Sequence, residues 1–297
     1  MDHVPDQPCR SAGIRYFRCY YSAASVPEKR NPSASPLISI IVPVLNEAEL
    51  IGGFLVQLRT NAPEAEIIVV DGGSEDRTIA ESAGLADQVL SAPRGRAPQM
   101  NAGAAVARGK VFWFLHADVL IPRNALGEIA NALGEGTVVG GCFRVRFPRR
   151  EWVYRLGDSL GNAGVEIFGI ALGDHGIFCR REAFSAVGGF PDVPLMEDAE
   201  FYRALRRVGR MSQLRKAIVA SPRRFEQHGP WRTTAYYAAI LALYVGGVRI
   251  DVLTALYRRL IRSANHALPR THSASCARCD SAGAFSRSTT APSGPRQ

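Results

Sequence analysis

Three short polar segments carry residue types that bind nucleotides and divalent cations: Asn46-Glu47, Asp71-Gly72-Gly73-Ser74 and His116-Ala117-Asp118. The glycines after Asp71 allow the backbone to approach a base or a ribose closely. A carboxylate such as Asp118 supplies the oxygen ligand that Mg²⁺ or Mn²⁺ prefers, and it leaves coordination positions for phosphate oxygens and water. The third segment therefore indicates a site for a metal-bound diphosphate.

Each of these segments also has a simpler explanation. Asn46 is a suitable N-cap for the helix that follows it. Asp71 and its glycines would also suit an ordinary turn between a strand and a helix. His116 admits three interpretations, as a second ligand to Mn²⁺, a hydrogen-bond partner of a phosphate, or a structural histidine.

An acidic pair, Glu197 and Asp198, lies at the predicted start of a helix. The positive end of the helix dipole stabilises negative charge there, so a structural explanation is sufficient. The functional alternative is that one carboxylate is a general base that takes the proton of a hydroxyl group.

Arginines are concentrated in a few segments, and the formal net charge of the chain is +9. Arg96 lies where a helix is predicted to begin, and helix amides together with a guanidinium suit a phosphate. Arg223 and Arg224 are a second basic pair. Solvated surface charge is the alternative for all three residues. The overall charge suits an anionic ligand, an anionic membrane surface or a nucleic acid.

Strand-like and helix-like segments alternate between the polar segments. Strand patterns occupy 37–42, 66–70, 88–90 and 111–115, and helical spacing of apolar residues occupies 47–60, 76–84, 96–108 and 124–133. This order predicts an α/β fold with a mostly parallel sheet flanked by helices. Ligands of such sheets bind beyond the carboxyl ends of the strands, where all three polar segments lie. A further helix is predicted over 235–248.

The two ends of the chain differ in composition from its middle. Residues 1–36 and 263–297 are rich in Pro, Ser and Arg, which predicts disordered tails around one domain at 37–262. The N-terminus lacks the apolar core of a signal peptide, and no run reaches the ~18 apolar residues of a membrane span. Four of the six cysteines lie in the tails, which is not a secreted disulfide framework and predicts a cytoplasmic protein. Cys276 and Cys279 have the spacing of half a zinc site, without a second pair.

Taken together, these motifs resemble those of the family 2 glycosyltransferases, which have a GT-A (Rossmann-like) fold with C-terminal helices. The resemblance covers about residues 37–262. The matching motifs are Pro43–Glu47, Asp71–Thr78, the position of Asp118, Gly188-Gly189-Phe190 and Glu197-Asp198. More narrowly, the sequence Phe114-Leu-His-Ala-Asp118 is similar to that of a bacterial subgroup labelled arsenosugar-biosynthesis or radical-SAM/selenodomain-associated glycosyltransferases. Here His116 replaces the first aspartate of the usual Asp-x-Asp metal motif.

The resemblance implies a role for each matching residue. A nucleotide-sugar donor would contact Pro43, Asn46, Glu47, Asp71, Gly72, Ser74, Arg96, Asn101, Asp118 and Arg224. Mg²⁺ or Mn²⁺ would bind Asp118, with His116 as a second ligand. Asp198 would be the catalytic base with Glu197 beside it. The acceptor side would include Asp174, His175, Gly188 and Gly189.

The resemblance also implies the reaction, an inverting transfer of a sugar from a nucleoside-diphosphate-sugar, in the first instance a UDP-sugar, to a hydroxyl acceptor. The segment 223–226 reads Arg-Arg-Phe-Glu where processive synthases carry Gln-x-x-Arg-Trp, which favours a single transfer. One alternative is a sugar-nucleotidyltransferase, which would carry a basic glycine-rich loop where this chain has Pro43–Glu47. Another is a basic nucleic-acid-binding protein, although the sequence contains no recognisable nucleic-acid-binding module.

Peripheral contact with an anionic membrane is a further hypothesis. Tyr236, Tyr237 and Leu241 would form an amphipathic surface together with the basic run 258–262. A helix packed on the domain is the alternative interpretation of the same residues.

Overall fold

The computed structural model describes residues 37–149 and 151–265, with side chains as far as residue 259. The Cys276–Cys279 pair and nearly all of the two predicted tails lie outside the described residues. The first half of the fold consists of β1 (Ile38–Val44), α1 (Ile51–Asn61), β2 (Glu66–Asp71), α2 (Thr78–Ser82), β3 (Gln88–Ser91), α3 (Arg96–Val106), β4 (Val111–Phe114), β5 (Val119–Leu120) and α4 (Ala125–Gly134). The second half consists of β6 (Val138–Arg146), α5 (Trp152–Ala163), β7 (Phe178–Arg180), α6 (Arg181–Val187), α7 (Glu197–Val208), β8 (Arg210–Ala220), α8 (Arg223–His228), α9 (Pro230–Val245) and α10 (Ile250–Asn265).

The strands form one sheet in the order β3-β2-β1-β4-β7-β6-β8-β5. Strands β1 to β4 pair in parallel, and so do β6 and β8. Strand β7 joins these two groups and is antiparallel to both of its neighbours. The predicted α/β class, with a mostly parallel sheet flanked by helices, is confirmed.

The central strands form because their apolar side chains are covered on both faces of the sheet. Every residue of β1, β2 and β4 is buried, as expected for parallel strands between two helical layers. The core is correspondingly divided into one large cluster on each face. A third cluster lies under α9 and α10 and includes Ile170, Met196 and Ile240.

The sequence patterns located the first half of the fold well. Helix α1 nevertheless begins at Ile51 rather than at the predicted residue 47, because the Glu47 carbonyl accepts the Leu50 and Ile51 amides in a preceding turn. The sequence patterns predicted none of the strands β5 to β8. Helix α10 continues to Asn265, three residues past the predicted domain boundary. Within the described residues no helix has both the length and the apolar character needed to cross a membrane.

Strand β5 closes the far edge of the sheet and follows Asp118 directly. It pairs antiparallel with the end of β8, through Val119 with Ala220. The Ser221 amide donates a hydrogen bond to the Asp118 carbonyl at 3.1 Å. The backbone of Asp118 is therefore held between the end of β4 and the end of β8.

Candidate active site

The loops after β1 and β2 are joined by a reciprocal pair of hydrogen bonds. The Asn46 amide donates to Ser74 Oγ at 2.8 Å, and the Glu75 amide donates to Asn46 Oδ1 at 2.8 Å. Asn46 adopts a left-handed backbone conformation (φ 54°), which asparagine tolerates better than most residues. These bonds fix two of the three polar segments against each other at one edge of the sheet.

Asp71 fixes the conformation of the second loop through hydrogen bonds. The carboxylate is buried and accepts hydrogen bonds from the Gly73 and Ser74 amides at 2.9 and 3.0 Å, and from the Ser74 hydroxyl. Both carboxylate oxygens are therefore engaged within the loop, where Gly73 is exposed and Ser74 partly exposed.

Gln99 connects the ends of β1 and β2 and was not predicted as a site residue. Its side-chain amide donates to the carbonyls of Val44 and Val70 at 2.8 and 2.7 Å. A Cβ at Gly72 would lie only 2.9 Å from Gln99 Oε1, so a glycine is required there for close approach. The sequence feature that could have indicated this role is a polar residue, Gln99, on the side of α3 that faces the sheet.

Arg223 bridges two predicted ligand-binding acids. Its guanidinium forms a bidentate pair with Glu47, at 3.1 and 3.0 Å, and its Nη2 lies 3.8 Å from Asp118 Oδ2. The hydrogen bond to Glu47 is the main reason that the pKa of Arg223 is raised. This contact connects the start of α8 to the ends of β1 and β4.

Gly173 separates His116 from Asp198. A Cβ at Gly173 would lie 1.9 Å from His116 Nε2 and 2.7 Å from Asp198 Oδ2, so only a glycine fits between them. Burial, together with the positive charges of Arg96 and Arg224, lowers the pKa of His116 to about 3. The imidazole is therefore neutral near pH 7 and able to act as a ligand.

Asp198 begins the first turn of α7 and is only 5% exposed. Burial and the neighbouring Glu197 raise its pKa to about 7, although Arg96 opposes this shift. Glu197 itself accepts a hydrogen bond from Arg96 Nη1 at 3.4 Å. The preceding Met196 has a left-handed backbone (φ 64°), a strained conformation of the kind found at functional sites.

A cavity of about 400 Å³ opens directly above these groups. Its polar end contains Arg96, His116, Asp174, Glu197 and Asp198. Its side wall contains Arg223 and Arg224 from α8, and Arg224 Nη1 donates to the Tyr237 hydroxyl at 3.0 Å. The volume is in the usual range for a pocket that binds a small molecule.

Eleven of the predicted site residues lie outside the lining of this cavity. They are Pro43, Asn46, Glu47, Asp71, Gly72, Ser74 and Asp118 from the predicted donor and metal sites, together with Asn101, His175, Gly188 and Gly189. Asn101 exchanges two hydrogen bonds of 2.9 Å with the backbone of Phe190, so it holds the Gly188-Gly189 turn at the end of α6. His175 is 4% exposed, and its Nδ1 lies 3.2 Å from the Leu172 carbonyl oxygen. Asn101 and His175 therefore support neighbouring segments, because their side chains contact backbone groups rather than the cavity.

The family model that matches the chain is described as "Glycosyl transferase family 2" and covers residues 39–187. This chain belongs to glycosyltransferase family 2. The matched range includes the three polar segments at the sheet edge and ends before Asp198.

Among related family 2 sequences, a PGL/p-HBAD biosynthesis glycosyltransferase of Mycobacterium bovis is 32% identical over 171 residues. The match covers 53% of this chain, and the chain spans 64% of the relative's length. An uncharacterized glycosyltransferase of Rickettsia prowazekii is 35% identical over 118 residues, which is 36% of each chain.

Two solved structures share the fold of this family 2 chain. A mannosyltransferase of Pyrobaculum calidifontis, in complex with GDP-Man and Mn²⁺, has a TM-score of 0.56 and 21% identity over 86% of this chain and 83% of the other. A glucosyl-3-phosphoglycerate synthase of Mycobacterium tuberculosis, in complex with Mn²⁺ and UDP, has a TM-score of 0.52 and 18% identity over 76% and 88% of the two chains.

The family 2 site offers few protein ligands for a cation. No group of three or more His, Cys, Asp and Glu side chains in the described parts of the chain has the geometry to hold a metal ion. Asp118 offers one carboxylate and His116 a neutral imidazole at the same strand end. This pair fits a divalent cation that the protein and a substrate diphosphate hold together, because such cations keep most positions for phosphate oxygens and water.

Proposed function

We propose that this family 2 glycosyltransferase transfers a single sugar from a nucleoside-diphosphate-sugar, in the first instance a UDP-sugar, to a hydroxyl acceptor with inversion. The observation that carries the proposal is the position of Asp198. Its carboxylate is buried at the polar end of the cavity, has a pKa raised to about 7, and is separated from His116 by Gly173 alone. A base with a pKa near the working pH is well suited to deprotonating a hydroxyl group.

The donor would lie across the edge of the sheet. In the proposal Pro43, Asn46, Glu47, Gly72 and Ser74 line the nucleoside site, with Asp71 shaping the loop. Asp118 and His116 would hold Mg²⁺ or Mn²⁺, which supplies charge neutralisation for the diphosphate leaving group. Two solved structures of similar fold are complexes with Mn²⁺ and a nucleotide or nucleotide sugar, which supports this assignment.

The reaction is proposed to occur in one step. Asp198 takes the hydroxyl proton as the acceptor oxygen bonds to the anomeric carbon, and the bond from that carbon to the diphosphate oxygen breaks. The electron pair leaves with the nucleoside diphosphate, whose negative charge Arg96 and Arg224 stabilise from the cavity wall. A single displacement from the opposite face inverts the anomeric centre.

Other residues support this arrangement indirectly. Arg96 balances the charge of Glu197 and Asp198, and Asp174 faces the acceptor side of the cavity. Asn101 and the Gly188-Gly189 turn are proposed to position neighbouring segments. A cavity of small-molecule size supports a single transfer over chain elongation. The Phe114–Asp118 motif supports membership of the subgroup that carries it.

Calorimetric titration of UDP and of GDP, with and without Mn²⁺, tests the donor site. We expect metal-dependent binding of one nucleotide to the wild type, loss of binding in Asp118→Asn, and no change in Asp251→Asn. The control removes the same charge from an exposed residue that pairs with Arg249 on the surface. Failure of both nucleotides to bind the folded wild type would refute this donor class.

The same preparations test the alternatives. Release of pyrophosphate from a nucleoside triphosphate and a sugar phosphate would identify a nucleotidyltransferase. Salt-dependent binding of DNA or RNA, without nucleotide binding, would identify a nucleic-acid-binding protein.

A further inference from the structure

The cavity has two chemically different ends. One end contains the charged groups around Asp198. The other end is formed by apolar residues of the Leu172–Asp174 turn, the segment before α7, and the C-terminal helices, namely Leu172, Leu195, Met196, Ile240, Leu241 and Tyr257. No residue of the Asn46–Ser74 loops lines this cavity. The space therefore belongs to the sugar and the acceptor rather than to the nucleoside.

The apolar wall is a fixed part of the core. Ile240 and Met196 are buried in the third core cluster, and Leu172, Leu195 and Leu241 pack against that cluster. The wall is therefore held in place by contacts within the protein.

Two of the hydroxyl groups near this wall already have partners. The Tyr237 hydroxyl accepts a hydrogen bond from Arg224, and the Thr233 hydroxyl donates to the Arg224 carbonyl. A polar acceptor would lose hydrogen bonds to water on entering this end of the cavity, which is unfavourable. An apolar group would gain from burial there.

We infer that the acceptor is a compound in which a hydroxyl group is attached to an alkyl or aryl group. The hydroxyl would lie at Asp198, and the alkyl or aryl group would lie against the apolar wall that includes Leu241. The inference rests on the proposed function, because it requires Asp198 to be the base. It names the chemical class of the acceptor, which neither the family nor the fold specifies.

Methyl, butyl, hexyl and octyl β-glucosides test the acceptor class by calorimetry, in the presence of the nucleotide that binds. These probes share one polar head and differ only in the length of the alkyl chain. We expect Kd to fall roughly fourfold for each methylene group until the cavity is full. Equal affinity along the series would overturn the inference and leave the proposed function intact, whereas absence of nucleotide binding would refute the proposed function itself.

Two polar variants locate the binding site of the alkyl chain. Leu241→Gln and Leu195→Gln place an amide in the wall, and we expect both to weaken the dependence of Kd on chain length. Leu126→Gln makes the same change in a partly buried leucine of α4, outside the cavity, and serves as the control. Thermal unfolding identifies a variant that is not folded. In that case the chain-length dependence measured with the other wall variant tests the inference. Unchanged chain-length dependence in a folded wall variant would overturn the inference.

The outer surface of two helices, α5 and α9, exposes a group of large apolar side chains. Helices α5 and α9 lie side by side and run in the same direction. The rings of Trp152 and Trp231, at their first turns, are 4.1 Å apart, and a Cβ at Gly164 would lie 3.6 Å from Leu241 further along. Both helices expose apolar residues to solvent, namely Trp152, Leu156, Leu160, Ile167 and Phe168 from α5 and the turn after it, and Trp231, Ala235, Ala239 and Leu243 from α9.

This surface, defined as the α5–α9 surface, has the composition of a membrane contact. Trp152 is 63% exposed, Ile167 69% and Trp231 50%, which is unusual for side chains of this size outside an interaction surface. Arg155 and Arg232 are exposed beside the tryptophans, as is Glu151, and the exposed Glu166 is paired with Arg144. Tryptophan favours the boundary between water and lipid, and the arginines suit anionic headgroups.

We propose that the α5–α9 surface binds an anionic membrane. The residues predicted for such a contact from the sequence, Tyr236, Tyr237 and Leu241, instead line the cavity on the opposite side of α9. Helix α9 would thus have one side on the lipid and the other on the acceptor.

Co-sedimentation with vesicles tests this surface. We expect the protein to pellet with phosphatidylcholine vesicles that contain phosphatidylglycerol, more weakly at high salt, and weakly with phosphatidylcholine alone. Ile167→Asp should abolish pelleting. Ile79→Asp, the same change at an exposed isoleucine of α2, should leave it unchanged.

Two outcomes would overturn the membrane assignment. One is the absence of pelleting with both kinds of vesicle. The other is a concentration-dependent dimer that Ile167→Asp disrupts without any vesicle binding, which would make the α5–α9 surface a contact between copies of the chain.

Discussion

Replacement of Asp198 by asparagine separates catalysis from stability. Asparagine has nearly the same shape and can accept the same hydrogen bond from the backbone of Gly173. It cannot take a proton from a hydroxyl group. We expect Asp198→Asn to lower kcat by ~10²–10⁴-fold, the usual contribution of a general base, with little change in nucleotide affinity.

The magnitude of the stability effect follows from the pKa. A rise from 3.8 to about 7 corresponds to roughly 4 kcal/mol of unfavourable free energy when the carboxylate ionises in the folded state. Between these two pKa values the folded chain holds a proton that the unfolded chain has released, so this group lowers stability as pH rises. The asparagine variant has no carboxyl group to ionise, so its stability does not fall with pH in this way. It should therefore be more stable than the wild type at about pH 8, by up to roughly 4 kcal/mol, and lose the advantage near pH 4.

Two assays test this pair of expectations. Steady-state transfer measured against pH should show wild-type kcat/KM falling below about pH 7, where Asp198 is protonated. Urea unfolding of both proteins at several pH values gives the difference in stability. Asp251→Asn is the control for the transfer assay, because that carboxylate is exposed on the surface and its variant should match the wild type in transfer.

Two results would refute the role and the raised pKa assigned to Asp198. An equal loss of donor affinity and of kcat would show that Asp198 is not the base. A stability difference that does not change with pH would show that burial does not raise the pKa of this carboxyl group.

Three further variants test other parts of the site and the fold. Gly173→Ala introduces a Cβ 1.9 Å from His116 Nε2, so transfer should be abolished, and an active variant would contradict the described packing. Arg223→Met removes the bidentate pair with Glu47, and nucleotide Kd should rise roughly tenfold or more by calorimetry; an unchanged Kd would exclude a positioning role. Arg59→Met removes a buried guanidinium that pairs with the partly buried Asp87 and leaves that carboxylate with the Ile67 amide as its remaining described partner, so the free energy of unfolding should fall by about 3–5 kcal/mol; a smaller loss in urea unfolding would show that water reaches that carboxylate.

The first half of the fold was predictable from the sequence because its strands are buried on both faces. Such strands form unbroken apolar runs between turn residues, and β1, β2 and β4 do so. Strands β6 and β8 were missed for the opposite reason. Exposed positions in both strands carry arginine, for example Arg144 and Arg210, so neither segment forms an unbroken apolar run.

The candidate site was predictable where one short segment contains the signal. Asp118 and Asp198 stand in recognisable local patterns, and the structure places both beside His116. The contributions of Gly173 and Arg223 were missed because they depend on neighbours far away in the chain. No local pattern indicates that a glycine must fit between two side chains from other elements.

The position of β5 has a consequence for how the enzyme is made. The two-residue strand after Asp118 pairs with β8, and Arg223 follows β8 directly. The loops at residues 46 and 74 leave the ribosome early, but the strand that holds Asp118 in place is synthesised about a hundred residues later. A nascent or truncated chain that ends near residue 187 contains the whole family-matched segment and lacks that strand. The arrangement of Asp118 described above can therefore form only after β8 has been synthesised.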